Sequence, residues 1–95
     1  MGSLRVVPGR RDDLVALLTR YKPELQASGC LVYEVGTKDA TPDLVYVLEV
    51  WDRAESHRES LGRGSLRDAL QEALPLLEGE MVSMMFDVAG SPLMP

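Results

Sequence analysis

Val45-Tyr46-Val47-Leu48-Glu49-Val50-Trp51 alternates strictly: in an extended chain Val45, Val47, Glu49 and Trp51 project to one side, and Tyr46, Leu48 and Val50 to the other. The run is rich in β-branched and aromatic residues and reads as a strand, with a carboxylate and an indole sharing its Val45 face. Upstream, Cys30 to Val35 (CLVYEV) has the same character, and the polar stretch Gly36 to Asp43 (GTKDATPD) between them makes the two strands a hairpin. Further back, Arg10 to Ala27 carries Leu14, Leu17, Leu18, Tyr21 and Leu25 at i, i+3, i+4, i+7 and i+11. That spacing predicts one amphipathic helix, bent near Pro23 and stopped by Ser28-Gly29. Leu4 to Val7, ending at the turn Pro8-Gly9, is a short first strand.

Downstream of the hairpin, Asp52 and Glu55 have capping-box spacing ahead of a short helix from Arg53 to about Leu61, which Gly62 and Gly64 interrupt. Ser65 and Asp68 form a second cap signal. Leu66, Ala69, Leu70, Ala73 and Leu74 then make the apolar face of another helix, which Pro75 should close. Met81 to Val88 alternates as a last strand, with Val82, Met84, Phe86 and Val88 on its apolar face. The order β-α-β-β-α-β predicts an α+β, ferredoxin-like split-βαβ sandwich over residues 4–88, followed by a flexible Gly/Pro tail over 89–95.

The chain has 95 residues, a formal net charge of −5 and a sequence pI of about 4.7. One domain with one core is what this length supports. The acidic balance, with no basic run, speaks against nucleic acid and anionic membrane surfaces as partners. No apolar stretch is long enough to span a bilayer, and MGSLRVVPGRR has no secretory h-region, so a cytoplasmic protein is expected. The two helices cover one face of the sheet, while the other, bearing Tyr46, Leu48 and Val50, has nothing in the chain to bury it. A homodimer follows as an expectation.

With one histidine and one cysteine, a metal site built on imidazole or thiolate is not expected, and none of the nucleotide, flavin or serine-hydrolase motifs is present. Gly62 to Ser65 (GRGS) lacks the leading strand a phosphate loop needs and reads as a helix break. Cys30, inside an apolar run, reads as a buried structural thiol. Three residues are left for chemistry. Trp51 is a core anchor or a substrate wall; Glu49 is a salt-bridged rim residue or an acid/base group. His57, six residues beyond Trp51, is a solvated helix residue or a proton shuttle.

The ordered set V-P-G-R-R-D-D-L (Val7 to Leu14), S-G-C-L-V-Y-E-V (Ser28 to Val35), L-E-V-W (Leu48 to Trp51), A-E-S-H (Ala54 to His57) and P-L-L-E-G (Pro75 to Gly79) resembles the antibiotic biosynthesis monooxygenase domain, over about Val6 to Phe86. The resemblance implies a ferredoxin-like fold paired into a dimeric α+β barrel, with a hydrophobic pocket between the sheet and its own helices. It also implies oxidation of quinols or hydroxylated, polyketide-like aromatics by molecular oxygen without metal, flavin or other cofactor. Carried across, Trp51 matches the tryptophan ending the third strand, Glu49 the acid of the E-x-W signature, and His57 a polar helix residue facing the pocket. Val47, Leu70, Met84 and Phe86 complete the substrate-lining set so implied. The haem-degrading branch carries a histidine where Leu70 stands, so haem degradation is not expected.

The reading is therefore a cofactor-free monooxygenase, an oxidoreductase with His57 and Glu49 as catalytic groups and Trp51 as an orienting wall. Two other functions fit the same fold, which hosts many. A non-catalytic dimeric domain would bind an apolar small molecule without consuming oxygen, and an isomerase would turn over substrate anaerobically.

Overall fold

The computed structural model describes residues 1–62 and 64–95. Its elements are β1 (Gly2–Arg5), α1 (Arg11–Leu18), α2 (Pro23–Ala27), β2 (Cys30–Gly36), β3 (Leu44–Trp51), α3 (Ala54–Leu61), α4 (Gly64–Ala73), a 3-10 turn (Leu74–Leu76) and β4 (Val82–Ser83). The strands form one antiparallel sheet in the order β2-β3-β1-β4. β3 pairs with β1 while the β1-to-β2 connection passes over it, which is the split-βαβ arrangement of the ferredoxin-like sandwich.

Period two explains the core. Val45 (0% exposed) and Val47 (8%) face the helices and pack with Val6, Leu14, Leu17, Leu18, Ala69, Ala73 and Leu76. The opposite face leaves Leu48 and Val32 exposed and Tyr46 and Val50 half-buried. β2 and β3 pair from Gly36↔Tyr46 to Cys30↔Trp51, with a bulge between Cys30 and Val32. The bulge puts Leu31 in solvent and leaves Cys30, Tyr33 and Val35 towards the helices.

Several expectations need correction. The stretch from Arg10 to Ala27 is two helices, because Pro23 takes the first-turn position of α2 instead of bending a continuous helix. The ammonium of Lys22 donates to the carbonyls of Leu17 and Leu18 (both 3.4 Å), satisfying acceptors that the end of α1 would otherwise leave open. Tyr21, expected on the apolar stripe, falls in this break and is 88% exposed.

The Asp52/Glu55 capping box does not form: Arg53 is the N-cap of α3 and makes no side-chain cap hydrogen bond. Ser65 lies inside α4 and not before it, and its amide donates to Glu24 Oε1 at 3.2 Å. Residue 63, in the glycine-flanked GRGS break, lies outside the described residues. Pro75 does end α4, but through a 3-10 turn that leaves Leu74 60% exposed. The first strand starts at Gly2, two residues before the expected Leu4, and Val6 follows it as an isolated bridge to Leu77. The last strand is confined to Val82–Ser83, which pair with Ser3 and Gly2; Met84 to Val88 continue as exposed chain. Alternation alone does not make a strand where no neighbour supplies the ladder.

Candidate active site

The end of β3 and the first turns of α3 bring Glu49, Trp51 and His57 together. Trp51 Nε1 donates to Glu49 Oε1 at 3.2 Å, and His57 Nε2 stands 3.7 Å from the same oxygen. The indole and imidazole rings are tilted at 44° with centroids 5.4 Å apart. One carboxylate oxygen thus lies against both an indole N–H and an imidazole nitrogen. Both the Glu49 and His57 side chains are 25% exposed, so solvent reaches them without fully screening the pair.

The turn that presents this group depends on Gly29. It has φ +103°, and its missing Cβ is where the Asp52 carboxylate packs; Asp52 N also donates to Gly29 O at 2.9 Å. A side chain here would meet both a disfavoured backbone region and the carboxylate. The contact fastens the β3–α3 junction to the start of β2, and with it the spacing between Trp51 and His57.

Cross-strand register adds two neighbours that the motif reading missed. Tyr33 lies directly across from Glu49, and Cys30 across from Trp51. Burial, and then the Glu49 charge, push the Tyr33 phenol well above the ordinary tyrosine range, so it remains a neutral hydroxyl. Burial first, then Glu49, also raise the Cys30 thiol, which with 7% exposure makes it an inert core sulfur. The hairpin register was the signal that could have placed both beside the site.

A cavity of about 510 Å³ opens at this end of the sheet, bordered by Glu49, Trp51, His57, Met84 and Phe86 among the expected residues. Leu48 and Val50 of the open sheet face border it as well, and so do Met1, Arg53, Met85 and Asp87, which no sequence pattern singled out. Two residues expected to line a pocket do not border this one: Val47 is core, and Leu70 is half-buried on α4. On the far side of α3 a second, more polar cavity of about 500 Å³ lies among α2, α3 and α4, where Ser56 and Ser60 are buried. Among the described residues no three His, Cys, Asp or Glu side chains are grouped to hold a metal ion, and no helix is long and apolar enough to cross a membrane.

A carboxylate beside an imidazole can hold a proton on that ring and stabilise its charged form, while a tryptophan and apolar chain beside it present a surface for a flat ligand. Residues 1–72 match the family model of the antibiotic biosynthesis monooxygenases. An antibiotic biosynthesis monooxygenase family protein from Chloroflexus aurantiacus is 36% identical, with 94% of each chain covered and a TM-score of 0.69. Rv0793 from Mycobacterium tuberculosis (22% identity, 94% of each chain, TM-score 0.72) shares the fold. So does PA3566 from Pseudomonas aeruginosa (18% identity, 93% of this chain and 90% of that one, TM-score 0.67). No functionally curated protein matches the chain. With the family model covering most of its length, this chain belongs to the antibiotic biosynthesis monooxygenase family.

Proposed function

We propose that the chain is a cofactor-independent monooxygenase that oxidises a quinol or hydroxylated, polyketide-like aromatic with molecular oxygen. The observation that carries this reading is the meeting of Glu49, Trp51 and His57 on one wall of the 510 Å³ cavity. Family membership supports the reaction class.

In the proposed reaction the substrate lies against Trp51 and His57 takes its acidic proton, while Glu49 stabilises the resulting imidazolium. The electron-rich phenolate or carbanion then reduces oxygen and forms a C–O bond, giving a hydroperoxide. Loss of water breaks the O–O bond and leaves a carbonyl, so that a ring methylene and one molecule of oxygen become a ring carbonyl and one molecule of water. The protein supplies a base, a counter-charge and orientation, which is sufficient for a substrate able to reduce oxygen once deprotonated.

The working unit in this proposal is a cytoplasmic homodimer, built by burying the open face of the sheet. Leu48 (42% exposed) and Val32 (38%), with Tyr46 and Val50, form the apolar patch that supports it.

Oxygen uptake by metal-free protein over a panel of hydroquinones and anthrones is the test. Consumption above the protein-free rate, with water and carbonyl product in equal amounts from the anthrones, supports the proposal. Uptake equal to the blank across the panel, with ligands still bound, would leave a binding domain in its place.

A further inference from the structure

Among the described residues only two polar side chains are buried, Ser56 (4% exposed) and Ser60 (7%). They stand one turn apart on α3 and so share a face, which borders the polar cavity of about 500 Å³ among the helices and not the one beside Trp51. Ser60 Oγ donates to the His57 carbonyl at 2.7 Å. The Ser56 hydroxyl has no hydrogen-bond partner among the described residues. A third lining hydroxyl, that of Ser65, is buried beside the Glu24 carboxylate and closes no hydrogen bond there. A hydroxyl kept from water without a partner bears its full desolvation cost, so a floor built this way favours a polar occupant.

The rim of the cavity is charged and exposed, formed by Glu24, Arg53 and Glu59. Glu24 Oε1 accepts from the Ser65 amide at 3.2 Å, which ties α2 to α4 and fixes a carboxylate above the hydroxyl floor. Two carboxylates against one guanidinium favour a cation over an anion. No strand residue lines this cavity, so a dimer formed through the open face of the sheet leaves it accessible. Its volume is in the range of small-molecule sites.

We propose that the cavity among α2, α3 and α4 is a binding site for a small hydroxylated amine of the amino-sugar class, with the ligand's ammonium on Glu24 and one of its hydroxyls on Ser56. An ammonium offers donors to a carboxylate and a sugar hydroxyl both donates and accepts, which matches the rim and the floor in turn. The reaction proposed beside Trp51 makes no use of this site, and neither inference depends on the other.

Glucosamine and glucose are the probes, alike except that an ammonium stands in place of one hydroxyl. Each is titrated into the intact, nitrogen-15-labelled protein while amide resonances are followed. Glucosamine should give saturable shifts that are largest at Ala27, Ser56 and Leu66 and small at the Trp51 indole. It should bind about tenfold or more tightly than glucose, the usual worth of a charge-assisted hydrogen bond. Glu24→Gln should remove that preference. Ser56→Ala should weaken glucosamine about threefold or more, the contribution of one neutral hydrogen bond, with the rest of the spectrum as in wild type.

The absence of saturable shifts with glucosamine overturns the proposal, and so does equal affinity for the two sugars. Shifts centred on Trp51, or an unchanged glucosamine affinity in Ser56→Ala, overturn it as well. If Glu24→Gln does not fold, the glucose comparison and the Ser56→Ala titration decide the matter by themselves.

Discussion

The indole of Trp51 and the imidazole of His57 lie in contact, with ring centroids 5.4 Å apart. One residue comes from the last position of a strand and the other from the first turns of the next helix, so the contact fixes how the sheet hands over to α3. The imidazole packed on the indole should set its emission, so His57→Ala should shift Trp51 fluorescence while the far-ultraviolet circular dichroism stays as in wild type. Unchanged emission in the variant would contradict the ring contact.

Glu49 Oε1 lies 3.7 Å from His57 Nε2, which sets a carboxylate beside the proposed base. Loss of the base in His57→Ala should slow oxygen uptake by about 10²–10⁴-fold, the usual contribution of positioned acid–base catalysis, with the fold retained. Glu49→Gln keeps an acceptor for Trp51 Nε1 but removes the charge, and should slow the rate less. If His57 and Glu49 act as one unit, the double variant should be no slower than His57→Ala alone, as steady-state rates will show.

Tyr33 should titrate late. Its phenol is held above the ordinary value by burial and by Glu49, so the native state keeps this proton after the unfolded chain has lost it. The sign follows from linkage: the stabilisation is complete below the ordinary tyrosine value of about 10 and declines as pH rises above it. Absorbance at phenolate wavelengths should show one of the three tyrosines resisting ionisation until the protein unfolds, and Tyr33→Phe should flatten the alkaline loss of stability. Full reversible ionisation of all three in folded protein would contradict this.

Leu48 stands on the open face of the sheet, 42% exposed. In a sheet-to-sheet dimer, Leu48→Arg would force a charge into apolar contact, and dissociation is the expected result. Sedimentation should give a stable dimer for wild type and a 10.5 kDa monomer for the variant. A wild-type monomer at micromolar concentration would remove this face from the assembly.

Gly29→Ala places a Cβ in a left-handed backbone position and against the Asp52 carboxylate. Strain of this kind costs on the order of 1–3 kcal/mol. Thermal unfolding should register that loss. The Trp51 signal should change with it, because the same contact anchors the turn carrying Trp51 towards His57.

Much of this molecule is set by local pattern. Period two along Val45 to Trp51 decides by itself that Glu49 and Trp51 share the face that Val45 and Val47 bury, since neighbouring strand residues point to opposite sides. The leucine spacing of α1 and the alanine and leucine spacing of α4 likewise determine which helix faces meet the sheet, and the order of elements leaves one favoured topology. Tertiary structure decided the rest, because it concerns which distant groups share a space. Pro23 is compatible with a bend or with a new helix start, and the chain takes the second, with the Lys22 ammonium lying against the last carbonyls of α1. The alternation from Met81 to Val88 persists to the end of the run, yet the strand is confined to Val82–Ser83 and backbone pairing goes no further than the reciprocal Met1–Met84 hydrogen bonds, since strand pairing needs a neighbour and not only a pattern. The same holds at the site. Tyr33 stands beside Glu49 through hairpin register, and His57 meets Trp51 through the angle at which α3 leaves the sheet. Met1 and Met85 reach the cavity because opposite ends of the chain are hydrogen-bonded there, a long-range relation that no local periodicity encodes.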